Sequence, residues 1–149
     1  EAEKAGYYRV YKLDLNHYEL FKSEKKFDVI IFADILEHLQ LPAKVLSFFI
    51  NNWLKDDGTI IVSLPNVANF LVRFSLLLGN FNYSESGVLD RTHLHLYTNR
   101  TGRQLIESCS LKIIKQKFSS NNFGVIIKFA PFLSTLLGYN LIFICRKKF

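Results

Sequence analysis

The sequence predicts an α/β domain built on a doubly wound, mostly parallel sheet. Three observations carry that reading. "FDVIIFA" (27–33) and "TIIVSL" (59–64) are continuous apolar runs of strand length, the pattern of strands covered on both faces. Between them Val45, Leu46, Phe49, Ile50 and Trp53 recur at helical spacing. Further downstream a helical stretch again precedes strand-like runs. Parallel strands need such crossovers, so this alternation predicts strands 27–33 and 59–64 to be parallel, adjacent and nearly fully buried.

The remaining elements follow in chain order. "YYRVYKL" (7–13) carries β-branched and aromatic residues up to Asp14 and reads as a strand. "NHYELFKSEKK" (16–26) is polar with scattered aromatics, a loop or short helix. Pro42 suits a first helical turn, and "KDDG" ends that helix. Pro65 closes the second buried strand. Residues 67–78, "VANFLVRFSLLL", are apolar nearly all round, with Asn66 a candidate N-cap. Residues 80–97 are polar, aromatic and irregular. "TNRTGRQLIESCS" (98–110) is a helix capped by Thr98 or Thr101, the latter with Gln104 completing a capping box. "LKIIKQKF" (111–118) alternates as a strand does, and "NLIFICRKK" (140–148) is the last strand. The apolar stretch 123–139 is broken by Lys128 and Pro131, which favours an insert between strands over a membrane span.

Bulk properties narrow the function classes. The chain has 149 residues, 49% of them hydrophobic, with 14 Phe and 3 Pro, enough for one folded core. Its net charge of +6 comes from Lys and Arg scattered along the chain, which suits solvated edges and not a nucleic-acid face. Cys109 and Cys145 have no metal or redox spacing and read as buried hydrophobes, consistent with a reducing, cytoplasmic setting. There is no Met at all, which suggests an internal piece of something longer.

In doubly wound sheets ligands sit at the carboxyl ends of strands. Those ends carry Asp14, Asp34, and Ser63 with Asn66. If a helical turn starts at Asp34, Glu37 and His38 stand at i+3 and i+4 and share its face. His38 is a candidate general base, since its ordinary pKa suits accepting a proton from a hydroxyl. Equally, Glu37 and His38 could only shape the pocket. On a strand His93, His95 and Tyr97 would face the same way. A lid or structural role fits His93 and His95 better than metal binding, because no further ligand falls at metal spacing.

"FDVIIFADILEHLQLPAKVL", "LKDDGTIIVSLPNVANFLVRFSLLLGNFNY" and "LDRTHLHLYT", in that order, resemble class I S-adenosylmethionine-dependent methyltransferases, most closely the ubiquinone-biosynthesis-like branch. The resemblance covers about Ala2 to Phe118. It implies a Rossmann-like sheet of seven strands: the first three lie in reverse order on one side, the fourth and fifth follow, and an antiparallel last strand enters between fifth and sixth. On that map 7–13 is the third strand, 27–33 the fourth, 59–64 the fifth, 111–118 the sixth and 140–148 the seventh. The first two strands have no counterpart, nor do the glycine-rich loop and ribose-binding acid that follow them. Residues 1–149 are therefore expected to be a partial domain with its core at 7–118, an insert at 123–139 and a last strand at 140–148.

The resemblance also assigns roles. Asp14 would accept from the adenine amine and the Leu15 backbone N–H would meet the ring. Ala33 would leave room for the ligand, and Asp34 would face the methionyl ammonium. His38 and Glu37 would serve catalysis, and Asn66 and His93 the acceptor. The implied activity is methyl transfer from S-adenosylmethionine to a small-molecule or lipid-linked acceptor, most simply at oxygen. The competing expectations are an inactive Rossmann-like remnant or binding subunit, and a peripheral membrane module using the apolar stretches 67–78 and 123–138. Without the glycine loop and ribose acid, this chain alone is expected neither to bind cofactor usefully nor to turn over.

Overall fold

The computed structural model describes residues 6–7, 10–21, 25–119, 129 and 131–148. Its centre is a four-stranded sheet made of β1 (Phe27–Ala33), β2 (Leu54–Pro65), β3 (Leu111–Ser119) and β4 (Asn140–Lys147), in the order β1-β2-β4-β3. β1 and β2 are parallel, with Ile30 opposite Ile60 and Phe32 opposite Val62. β4 runs antiparallel to both β2 and β3, so three strands share one direction and the last is reversed. This is the order and orientation expected for the fourth to seventh strands.

α1 (Pro42–Trp53) is the crossover between β1 and β2. Its repeat of Val45, Leu46, Phe49 and Ile50 is buried against the sheet. On its way into β2 the chain forms a wide irregularity: Phe27 pairs with Leu54, yet Val29 already pairs with Thr59. The "KDDG" segment thus ends the helix by entering the strand, and it is pinned at both sides. Lys55 reaches Asp28 at 2.7 Å, and Lys147 reaches Asp56 at 2.9 Å.

β2 and β4 alternate buried and half-buried residues, and Ile60, Val62, Leu64, Leu141, Phe143 and Cys145 are wholly shielded. α3 (Asn99–Ser108) covers this core. Thr98 is its N-cap, and Thr101 three residues on completes the capping box, in place of a box from Thr101 to Gln104. Gly102 lets α3 lie close: a Cβ there would stand 3.2 Å from the Phe143 ring. Both cysteines are buried and unpaired, and burial pushes the Cys145 thiol up to about 12.

Three expectations need correction. Of "YYRVYKL", the described residues Tyr7, Val10, Tyr11, Lys12 and Leu13 are exposed and outside any strand, because among the described residues no neighbouring strand offers them a ladder. β1 is not nearly fully buried. Only Phe32 is shielded, while Val29 and Ile31 are 48% and 60% exposed, because among the described residues nothing covers that face or β1's outer edge. The apolar helix is shorter than 67–78: α2 (Phe70–Leu77) is capped by Asn69, not Asn66, and has no buried residue. Of the insert 123–139, residues 123–128 and 130 lie outside the described residues. Among the described residues no helix is long and apolar enough to cross a membrane.

Phe143 is the largest fully buried side chain and touches both α3 and β2. Phe143→Ala is expected to cost about 3–5 kcal/mol in a urea titration, through lost burial plus the cavity left behind. A loss under about 1 kcal/mol would mean that α3 does not pack on the sheet as described.

Candidate active site

The carboxyl ends of β1 and β2 meet the amino end of the antiparallel β4 at Asp34. Its backbone N–H donates to the Ser63 carbonyl, and its φ of +50° turns the chain sharply off the strand. Asp tolerates this left-handed conformation better than most side chains. The carboxylate accepts from Ser63 Oγ at 2.6 Å and from Asn140 Nδ2 at 2.8 and 2.9 Å. Asp34 remains exposed to solvent, beside an exposed Ala33 that adds no bulk.

The turn after Asp34 is a short 3-10 helix, Leu36–His38, and not a helix starting at Asp34. The three polar groups therefore do not share a face. Asp34 points to the strand ends, Glu37 turns inward and is fully buried, and His38 is half-buried. Among the described residues neither Glu37 carboxylate oxygen has a hydrogen-bond partner. Burial, with the Asp34 charge adding to it, pushes the Glu37 carboxyl up to about 7. The Glu37 carbonyl accepts from the Leu94 and His95 N–H groups at 2.8 and 3.1 Å, which locks the turn to the segment carrying His93.

His93 faces the buried acid, with Nε2 4.0 Å from Glu37 Oε1, near enough for charge attraction and too far for a hydrogen bond. Its Nδ1 lies 3.1 Å from the Val88 carbonyl, which can only accept, so Nδ1 carries the proton and Nε2 is bare when the ring is neutral. The His38 and His93 rings meet edge to face with centroids 4.7 Å apart. Glu37, His38 and His93 each offer a donor atom, all within 4.8 Å of one another. One carboxylate and two imidazoles are donor types that could hold a transition-metal ion. The same set can share a proton, which the raised carboxyl and the bare Nε2 favour. Tyr83, Arg91 and His93 line an open cleft here.

His95 and Tyr97 do not line up with His93 as on a strand. Of the three only Tyr97 makes a β-bridge, to Asn66. Tyr97 is buried, and that burial, reinforced by Glu37, pushes its hydroxyl up to about 12. Asn66 is fully buried with its amide consumed internally: Nδ2 donates to the Thr135 and Gly138 carbonyls, both at 2.9 Å, and Oδ1 accepts from the Ala68 N–H. Asp14 is exposed and caps the 3-10 helix Leu15–Leu20 by accepting from the Asn16 N–H, which lowers its pKa. Leu15 packs on the core, and the Asn16 side chain accepts from the Gln40 N–H at 3.0 Å, tying this turn to the segment after His38.

Sequence reasoning thus placed Ala33, Asp34, Glu37, His38 and His93 at one end of the sheet. It missed Asn140, Asp90 and Thr92. Asn140 opens a strand, and only tertiary pairing brings it to Asp34. Asp90 and Thr92 stand in "LDRTH", a turn-forming string whose partner is distant in sequence.

The comparisons with known proteins agree with this architecture. A family model described as a methyltransferase domain matches residues 2–116, and the chain belongs to that family. Its fold is shared by solved S-adenosylmethionine-dependent methyltransferases. One from Archaeoglobus fulgidus is 16% identical with TM-score 0.63, over 95% of this chain and 69% of that one. One from Clostridium acetobutylicum is 13% identical with TM-score 0.59, over 99% and 68%. Magnesium protoporphyrin IX methyltransferase from Synechocystis, solved with bound SAH, is 16% identical with TM-score 0.56, over 91% and 49%. The chain thus spans about half to two thirds of these proteins. No functionally curated protein matches it by sequence.

The buried acid predicts a pH signature. Its pKa rises from 4.5 in the unfolded chain to about 7 when folded, so the folded state holds a proton that the unfolded state has released. Raising the pH through that window therefore costs stability, and above it the cost is complete. Glu37→Gln, which cannot titrate, should gain on the parent by about 1–3 kcal/mol between the acid and alkaline ends of the window. Urea midpoints of the two proteins against pH measure it, and parallel curves would show that Glu37 is not buried as described.

Proposed function

We propose that this chain is the acceptor-side part of an S-adenosylmethionine-dependent methyltransferase, acting on a hydroxyl of a small-molecule or lipid-linked acceptor. The observation that carries this reading is the family match across a chain whose β1 is followed by Asp34, Glu37 and His38, with His93 against the last two. S-adenosylmethionine supplies a methyl group on a sulfonium centre. Asp34 suits its methionyl ammonium, being an exposed carboxylate at a strand end with its position set by Ser63 and Asn140. Asp14 suits the adenine amine.

The chain's own contribution to transfer is alignment and removal of one proton. With the cofactor bound, His38 would accept the proton that the acceptor hydroxyl loses as it is methylated. Glu37 lies behind the two imidazoles, where a carboxylate favours a cationic ring. The open apolar wall supports a hydrophobic acceptor: α2 exposes Phe70, Leu71, Phe74, Leu76 and Leu77, with Leu77 80% exposed. The same wall would suit contact with a membrane surface.

We further propose that the cofactor-binding strands of the family are supplied by residues outside 1–149, against the open edge and face of β1. The alternative, an inactive binding module, draws support from Asp34, whose carboxylate is already satisfied by Ser63 and Asn140.

Titration of residues 1–149 with S-adenosylmethionine is expected to give no saturable isotherm in the micromolar range; one accompanied by methyl transfer would overturn the partial-domain reading. In protein that does bind cofactor, Asp34→Ala should weaken S-adenosylhomocysteine binding more than His38→Ala does. His38→Ala should instead lower kcat by about 10²–10⁴. Loss of binding at His38 with kcat intact at saturation would reverse the two roles.

A further inference from the structure

The segment Val88–His93 does more than close over the site. It holds both imidazoles by the same nitrogen. His38 Nδ1 lies 3.2 Å from the Thr92 carbonyl and 3.1 Å from Thr92 Oγ1. The Thr92 hydroxyl is itself 2.6 Å from Asp90 Oδ1, and the same oxygen accepts from the Thr92 N–H at 2.8 Å. A carboxylate has no hydrogen to give, so the hydroxyl hydrogen goes to Asp90 and Oγ1 is left as an acceptor toward the ring. Both groups facing His38 Nδ1 therefore accept, and the ring must present Nδ1–H. Its basic lone pair is then on Nε2, away from Thr92.

We propose that Asp90 and Thr92 are positioning residues that set the His38 tautomer, so that Nε2 is the atom that takes the acceptor proton. The catalytic half of this proposal rests on the base reading of His38 given above; the tautomer half does not. Asp90 acts without touching the ring, by claiming the one hydrogen that could otherwise let Thr92 donate to Nδ1. Losing that claim would admit the Nε2–H form, which has no lone pair where the proton must arrive. Nothing else among the described residues is recorded in a hydrogen bond to His38 Nδ1.

Nitrogen-15 imidazole spectra of the 149-residue chain, taken where the rings are neutral, test the tautomer directly and need no cofactor. The parent should show His38 as Nδ1–H. Asp90→Ala should populate the Nε2–H form, because the freed Thr92 hydroxyl can then donate to Nδ1. Asp90→Asn, which keeps a carbonyl oxygen for the Thr92 hydroxyl, and Thr92→Val, which leaves only the accepting backbone carbonyl against the ring, should hold the parent tautomer. An Nε2–H parent, or an Asp90→Ala chain with an unchanged tautomer, would overturn the proposal. In a methyl-transfer assay Asp90→Ala should lower kcat about tenfold or more with KM unchanged, and Asp90→Asn should restore it. If the spectra respond as expected while kcat does not, the tautomer is set as described but His38 is not the base.

Discussion

The site depends on β2 being paired on both sides, in parallel with β1 and antiparallel with β4. That double register puts Ser63 opposite Ala33 on one flank and Pro65 opposite Asn140 on the other. β1 and β2 must leave the sheet at the level where β4 enters it for their polar ends to converge. A slip of one residue in either ladder would send Ser63 or Asn140 to the wrong face and separate them from Asp34. The wholly buried Ile60, Val62 and Leu64 make such a slip costly, so ordinary core packing holds the polar arrangement above it in place.

Against this economical scaffold, Glu37 is an expense. A carboxyl taken out of water without a hydrogen-bond partner weakens a fold, and neighbouring positions in the turn are filled by apolar side chains such as Leu36. Its carbonyl would lock the turn to residues 94–95 whatever the side chain. What only the carboxyl supplies is a group able to hold or release a proton near neutrality beside two imidazoles. Together with the left-handed backbone at Asp34, this puts two departures from ordinary local preference within four consecutive residues, as functional sites commonly do.

How much of this was legible depended on range. The apolar runs at 27–33 and 59–64, the helical repeat of α1 and the alternation of 111–118 are local patterns, and each became the element it suggested. The strand order followed from the family resemblance, since periodicity says nothing of which strand lies beside which. "YYRVYKL" has strand composition, but a strand needs a partner, and composition cannot show one. Burial of β1 was overread for the same reason: an apolar run shows what a strand can cover, not what covers it. A helical turn starting at Asp34 does not form, because one positive φ there turns the chain, and residue spacing does not show it. His93 was noticed, but its partner Glu37 became visible only once the backbone of residues 94 and 95 was seen to dock on that turn.

The two cysteines give the molecule an internal gauge of its own opening. Cys145 lies at the middle of the sheet in β4, fully shielded, while Cys109 caps the end of α3, with its sulfur 3.4 Å from the Ala43 carbonyl on α1. A thiol reagent cannot reach either until the chain around it moves away. Fraying confined to the end of α3 would uncover Cys109 first, whereas Cys145, on the face of β4 that α3 covers, is reached only when the helix layer lifts off the sheet. Labelling rates at the two sulfurs therefore separate fraying of the helix end from loss of the whole covering layer over the strands that hold Asp34, Ser63 and Asn140 together.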